Sequence, residues 1–320
     1  MDKQKFDQLV DSFASSIDKN GNNLQMHSFA IKQNSTCFLY RFNQRTEPSD
    51  VRSLSKTVLA LAAGKVIDLA QQGVYPEFNE DTLIFPIIEN AVNLTNQANR
   101  EYLEKIKIKH LLTHTVGYDK ILLMRGDIKD MDPFTYLDYL VNYPIKYEPG
   151  KIHLYSNAGF YLLSVVLQEF IREDLFTFIE RELFEPLAIK DATWVKYGNY
   201  LAGATRLWLQ PEDLIKIGEL LLNNGTWQEK HILPKSWIDN MTTIKEYSSN
   251  FDPTVRKYLY YYAYGYGIWI AKENLFFASG TDGQYIVVIP EKNAIIVTQA
   301  EQKDTMPIKQ IIDQIIAYDL

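Results

Sequence analysis

A single cysteine, Cys37, stands in a chain of 320 residues. No internal disulfide can form, which fits a reducing compartment and leaves stability to packing. Long apolar runs are also missing, and none approaches the roughly 20 residues of a membrane-spanning helix. Basic charge is in deficit, with 33 Lys and Arg against 40 Asp and Glu for a formal net charge of -7. No long basic stretch interrupts that balance, so the electrostatic footprint of a nucleic-acid binder is absent and no nucleic-acid partner is expected. Repeats, low-complexity tracts and Pro/Gly/Ser linkers are absent too. The opening segment "MDKQKFDQLVDSFASSIDKNGN" has no apolar core of the signal-peptide kind, so the expectation is a cytoplasmic protein.

What remains is an ordinary globular composition, 46% hydrophobic and 23% charged, long enough for a sizeable core in one domain or two intimate lobes. Phe6, Leu9, Val10, Phe13 and Ile17 recur at helical spacing, which predicts a docked amphipathic first helix. "LQMHSFAIKQNSTCFLYRF" reads as two strands around a Lys32–Ser35 turn. Helical patterns then dominate to about residue 250, clearest in "AGFYLLSVVLQEFI", "FTFIERELF" and "PEDLIKIGELLLNNG". Strand character returns in "YLYYYAYGYGIWI", "NLFFASG" and "QYIVVIPEKNAIIVTQAE", and a closing helix follows from about Met306. With strands at both ends, the economical fold is α/β (α+β). One antiparallel sheet is built from both chain ends, with the terminal helices on one face and a large helical insertion on the other. The expected organisation is a single domain over 1–320, an α/β lobe of about 1–52 plus 255–320 and a helical lobe of about 53–254.

Chemistry concentrates at "VRSLSKTVLALAAGKVIDLAQQG", residues 51–73. Leu54, Val58, Leu61, Ala62, Val66, Leu69 and Ala70 form one apolar stripe, and Gly73 supplies a stop. Ser53 stands at the N-terminal edge, and Lys56, three positions on, shares its face. A serine hydroxyl is a poor nucleophile at neutral pH and needs such a neighbour. Burial and the positive helix end would lower the lysine pKa towards that of a useful base. The Ser53 N–H, unpaired at the helix start, is free for an oxyanion. Serine is also a common N-cap, and a second copy of the pattern, Ser16-Ile-Asp-Lys19, ends the first helix. Tyr155-Ser-Asn157, after the Pro149-Gly150 turn, offers a phenol to relay protons and an amide to hold Lys56. Its decoy is Tyr197-Gly-Asn199, which no periodic helix follows. Gly280-Thr281-Asp282-Gly283 joins two strands, and its glycines permit close backbone approach to a ligand.

In this order the three segments resemble the serine β-lactamase and penicillin-recognising superfamily, in the branch related to class C β-lactamases that includes esterases, D-aminopeptidases and amide hydrolases. Ser53-Leu-Ser-Lys56 is similar to its Ser-x-x-Lys motif and Tyr155-Ser-Asn157 to its Tyr-x-Asn motif. Ala278-Ser279-Gly280 falls where the family carries Lys-Thr-Gly. "LLTHTVG", "LFEPLAIKDATW", "LQPEDLIKIGELLLNNGTW" and "YGYGIWI" extend the likeness over most of the chain from about residue 40. The resemblance implies that Ser53 is acylated, with Lys56 and Tyr155 as base and proton relay and Asn157 positioning them. It also implies an oxyanion hole from the backbone N–H groups of Ser53 and Thr281. Substrate contacts are expected from Ser279, Gly280 and Asp282. Ala278 in place of the family's lysine removes a cation suited to a substrate carboxylate, and Asp282 adds a negative charge. Neutral esters or amides, or amine-bearing substrates, are therefore favoured over β-lactams and D-Ala-D-Ala termini.

His110 and His114 have the i, i+4 spacing of a helical zinc pair, but the glutamate of His-Glu-x-x-His and a third ligand are missing, so no metal and no cofactor are expected. The tyrosine-rich run reads as an aromatic strand whose alternation would put Tyr264 or Tyr266 on the wall of the cleft. The resulting expectation is a serine hydrolase acting through an acyl-enzyme on a small-molecule ester or amide or a peptide. An acyltransferase using the same intermediate, or a binding or sensor homologue without turnover, is the alternative. Oligomeric state is not legible.

Overall fold

The computed structural model describes residues 1–320 apart from 249–251, 253, 256 and 273. The omitted positions fall beside the expected lobe boundary at 254/255 and inside the last segment, so that part of the organisation lies outside the described residues.

Among the described residues the main sheet has eight strands. In chain order they are β1 (Met26–Gln33), β2 (Thr36–Arg41), β3 (Glu246–Tyr247), β4 (Ala263–Tyr264), β5 (Trp269–Ile270), β6 (Phe276–Gly280), β7 (Gln284–Ile289) and β8 (Ala294–Ala300). Their spatial order is β3-β4-β5-β6-β7-β8-β1-β2, antiparallel throughout. The two chain ends meet where β1 pairs with β8, Phe29 opposite Thr298 and Ile31 opposite Ile296. Successive side chains of a strand point to opposite faces, and both faces here are apolar. Phe29, Ile31, Val287 and Ile296 face the first helix, α1 (Lys3–Ser15), and the closing helix, which begins at Met306. Ala30, Ile286, Ile295 and Val297 face the helical block.

On that second face lie α2 (Ser55–Gln71), α3 (Ala158–Ile171) and α4 (Pro211–Leu222). Gly218 of α4 lets its helix lie directly on the sheet, because a Cβ there would stand 2.7 Å from Ile295 Cγ2. A small three-stranded sheet, Ser49–Asp50, Leu207–Leu209 and Thr193–Trp194, tethers the segment before Ser53 to the chain entering α4. Its strands are too short for a sequence pattern to reveal.

Three expectations change. Ile17 is exposed, since α1 ends at Ser15 and the chain turns away. The helix after Ser53 carries no single apolar stripe. Every residue from Ser55 to Gly64 is buried, as befits a helix enclosed on all sides, while Leu69 and Ala70 are only half-buried. The tyrosine-rich run is a short hairpin, β4 to β5, rather than one continuous strand.

Phe29 is fully buried beneath α1, with its ring stacked on Phe6 at 5.3 Å and tilted against Phe13 at 4.7 Å. Phe29→Ala should cost about 3–5 kcal/mol, read as a lower denaturant midpoint. An unchanged midpoint would show that α1 is not docked through this ring.

Candidate active site

The segment that delivers Ser53 is bent by its own side chains. Asp50 Oδ1 accepts the Arg52 N–H at 2.9 Å, and Asp50 Oδ2 pairs with the Arg52 guanidinium at 2.7 Å. Arg52 adopts φ +54, a left-handed conformation that a non-glycine residue holds only when its surroundings fix it. Ser55, the inner serine of the motif, donates to Arg52 O at 2.6 Å and accepts the Leu207 N–H at 3.4 Å. A tight turn at Arg52–Leu54 thus sets Ser53 at the mouth of α2.

One turn on, Lys56 is 1% exposed. Its Nζ lies 3.1 Å from Ser53 Oγ, 2.9 Å from Asn157 Oδ1 and 3.1 Å from the Ala204 carbonyl. Burial lowers its pKa from 10.5 to about 7. An ammonium has three N–H donors, matching the three oxygens. A neutral amine has two. The amide and the backbone carbonyl can only accept, so they take those two, and the lone pair is left facing Ser53 Oγ.

Asn157 begins α3, yet its side chain does not cap the helix. Its Nδ2 donates to Leu123 O at 2.9 Å, which fixes the amide with Oδ1 towards Lys56. Capping passes to Ser156, whose Oγ accepts the Ala158 N–H at 3.2 Å and the Leu122 N–H at 2.9 Å. Tyr155 completes the group. Its ring centre is 4.8 Å from Lys56 Nζ, and its hydroxyl neighbours that of Ser53. Enclosure pushes the phenol well above its ordinary value, the Ser53 hydroxyl opposing only in part, so Tyr155 is neutral and able to donate a proton. Ser53, Lys56, Tyr155 and Asn157 are therefore brought together. The decoys stand apart, with Ser16 Oγ donating to Ser12 O at 2.7 Å and Tyr197 in a separate hairpin.

A cleft of about 510 Å³ opens over Ser53 and Tyr155, lined also by Tyr261, Trp269, Ser279, Gly280, Thr281, Asp282, Tyr285, Lys303 and Thr305. Gly280 lines the cleft and also packs against the Ser53 turn. A Cβ on it would sit 2.4 Å from Val51 O and 2.8 Å from Arg52 Cβ, so its bareness lets β6 press against the turn that carries Ser53. Asp282 faces the cleft but is tied to Arg52 at 3.2 Å, which blunts the repulsion expected of it. Ala278 is 1% exposed and packs towards the helical block.

Tyr264 and Tyr266 are not on the cleft wall. Tyr264 is buried behind Tyr155, its hydroxyl 3.3 Å from His114 Nε2. Tyr266 lies against Trp237, with the Lys245 amine over its ring. The hairpin break between β4 and β5 invalidates alternation counted through the whole run. Tyr261 and Trp269 take the wall instead, Trp269 stacked on Tyr155 at 5.3 Å and the Tyr261 hydroxyl 3.3 Å from Ser279 Oγ. Only the aromatic density of the segment hinted at them.

His114 leaves the helix that carries His110, since that helix ends at Leu112 and His114 has φ +58. Its Nδ1 accepts the Ser156 N–H at 3.4 Å, and its ring packs under Tyr155 at 4.4 Å. Burial holds it neutral. Among the described residues no cluster of three or more His, Cys, Asp or Glu could hold a metal ion, and no helix is long and apolar enough to cross a membrane.

The profile of the family described as beta-lactamase matches residues 43–317. The chain belongs to the beta-lactamase family. Solved structures share its fold. A Bacillus anthracis protein described as a 6-aminohexanoate-dimer hydrolase superposes with a TM-score of 0.73 at 18% identity, over 97% of this chain and 80% of its own. EstCE1, described as a hydrolase with promiscuous acyltransferase activity, gives 0.67 at 14% identity over 96% of each chain. Among curated proteins, the N-acetylmuramyl-L-alanine amidase of Bacillus subtilis is 26% identical over 92 residues, covering 27% of this chain. That match spans about a fifth, 21%, of the relative's length.

The contact at Gly280 generates a test. Gly280→Ala should displace the Ser53 turn, and a misplacement of about 1 Å is enough to cost roughly 100-fold in rate. Turnover of a 4-nitrophenyl ester, with circular dichroism as the folding control, reads it; full activity would mean that the turn moves freely.

Proposed function

We propose that this member of the family is a serine hydrolase that cleaves an ester or amide through an acyl-enzyme on Ser53. Membership of the family and the hydrolases among its structural neighbours support hydrolysis in general. The observation that carries the finer reading is the buried Lys56 amine, with two fixed acceptors and its third direction on Ser53 Oγ.

In the first step Ser53 Oγ attacks the substrate carbonyl carbon while its proton passes to neutral Lys56. The Ser53 and Thr281 N–H groups receive the oxyanion. As the intermediate collapses, Tyr155 gives its proton to the departing alcohol or amine and is reprotonated from Lys56. Water then attacks the acyl carbon with the same groups as base and relay, releasing the acid and restoring Ser53. The aromatic and hydroxyl lining of the cleft, Trp269, Tyr261, Ser279 and Tyr285, suits a small organic ester or amide.

The base must be deprotonated to act. Acylation should rise with pH, tenfold per unit below about 7 and level above it, following the lowered Lys56 pKa. A fluorophosphonate probe should label one site per chain along that profile, and Ser53→Ala should abolish it. Labelling that persists in the variant, or is flat between pH 5 and 8, would remove this assignment.

β-Lactams are disfavoured. Their carboxylate would meet no lysine from position 278, where a buried alanine packs towards the helical block, and the exposed Lys303 at the rim is a screened charge worth little. The kcat/KM for a neutral 4-nitrophenyl ester should exceed that for a chromogenic cephalosporin by about tenfold or more. A better rate with the cephalosporin would make Lys303 the anchoring cation.

A further inference from the structure

A second hollow of about 390 Å³ lies on the other side of the Ser53 turn, and Arg45, Arg52, Arg125 and Arg206 line it together with Asp50 and Glu301. Four guanidinium groups in one hollow stand out on a chain whose net charge is -7. Among the described residues Arg52 alone of the four is paired with carboxylates, that of Asp50 in the wall of the hollow and that of Asp282 in the aromatic cleft. Arg45, Arg125 and Arg206 make no ion pair with a described residue. The Nε atoms of Arg45 and Arg52 are buried and have no hydrogen-bond partner, an arrangement that is costly unless something supplies an acceptor. Glu301 does not neutralise the hollow; its side chain is 67% exposed and 3.7 Å from His27. His27 itself is kept neutral by burial, and then by Arg45 beside it.

Three of the arginines are fixed to the catalytic group through the chain. Arg52 precedes Ser53. Arg206 follows Ala204 by two residues, and the Ala204 carbonyl is 3.1 Å from Lys56 Nζ. Arg125 follows Leu123 by two residues, and the Leu123 carbonyl accepts from Asn157. Arg206 also adopts φ +66, a costly conformation for a long side chain, which marks its placement as imposed by the fold. Asp50 and Arg52 line the hollow, while Ser53, next in the chain, and Asp282, paired with Arg52, line the aromatic cleft. A substrate spanning Ser53 would therefore have one end among aromatic rings and hydroxyls and the other among arginines.

We propose that this hollow binds an anionic oxygen group, carboxylate or phosphate, at the far end of the substrate. Guanidinium forks match both groups in bidentate geometry. The proposal rests on Ser53 as the point of cleavage, and it refines the expectation of neutral substrates. Position 278 carries no cation, and the arginines of the hollow are the guanidinium groups beside the Ser53 turn.

The test separates binding from chemistry by using the Ser53→Ala protein. Calorimetry compares three 4-nitrophenyl esters of similar length, the hydrogen adipate, its neutral methyl ester and the 5-phosphonopentanoate. Either anionic ester should bind about tenfold or more tightly than the neutral one at low salt, and the tighter of the two identifies the group. Adding Arg206→Gln, or separately Arg125→Gln on its exposed loop, should bring the ratio towards one. Arg125→Gln is the control against misfolding, because its side chain packs into no core. Equal binding of the three esters, or a preference that survives in both arginine variants, would overturn the proposal. Fluorophosphonate labelling of the unmodified protein reports on Ser53 separately, so loss of that reading and loss of this one are distinguishable.

Discussion

An amine without water around it is the constraint on which this structure turns. Lys56 reaches no solvent, and its pKa falls to about 7 because burial penalises the ammonium. The unfolded chain keeps that amine protonated up to its ordinary 10.5. Between those values the unfolded state binds more protons, so this residue's contribution to stability improves as pH rises through the window and is poorest at its lower end. Near neutrality the fold therefore carries Lys56 as a cost. Three oxygens at 2.9–3.1 Å offset it, each delivered by a different part of the chain.

That requirement explains the architecture around it. Ser53 comes from the turn before α2, Asn157 from the start of α3, and Ala204 from the connection towards the small sheet. α2 is enclosed on all sides because it is the axis against which these segments are set. Gly280 brings the end of β6 close against the backbone of the Ser53 turn, and Asp50 bends that turn through two bonds to Arg52. Tyr155 is placed by packing: His114 lies beneath its ring, Trp269 stacks on it, and Tyr264 closes the space behind.

Much of this was legible in the sequence. The fold followed from strands at both ends and helices between, since period-2 and period-3.6 patterns survive wherever an element buries one face. Ser53, Lys56, Tyr155 and Asn157 were legible as motifs, and the structure gathers the other three around the Lys56 amine. Legibility failed where the pattern depended on a partner distant in sequence. Tyr264 and Tyr266 were assigned by alternation, but a hairpin intervenes and the phase is reset. His114 looked like half of a helical pair, but its helix had already ended. Lys303, Thr305 and Tyr285 reach the cleft only through strand order, and no local spacing encodes that. The short strands at Ser49–Asp50 and Leu207–Leu209 carry too few residues for a period to register.

The arginine hollow belongs to the same class of hidden feature, since its four residues come from separate segments. What links them is the turn at Arg52. Its guanidinium joins Asp50 to Asp282, so one side chain braces the Ser53 turn, pairs with an acid of the aromatic cleft and forms part of the wall of the hollow. The planar guanidinium presents its donors in fixed directions, Nη1 to Asp50 and Nη2 to Asp282. The left-handed backbone at Arg52 is then intelligible: the strained φ aims the guanidinium sideways between Asp50 and Asp282 while Ser53 faces Lys56. The placement of Ser53 and the charge lining the hollow are thereby tied to one residue.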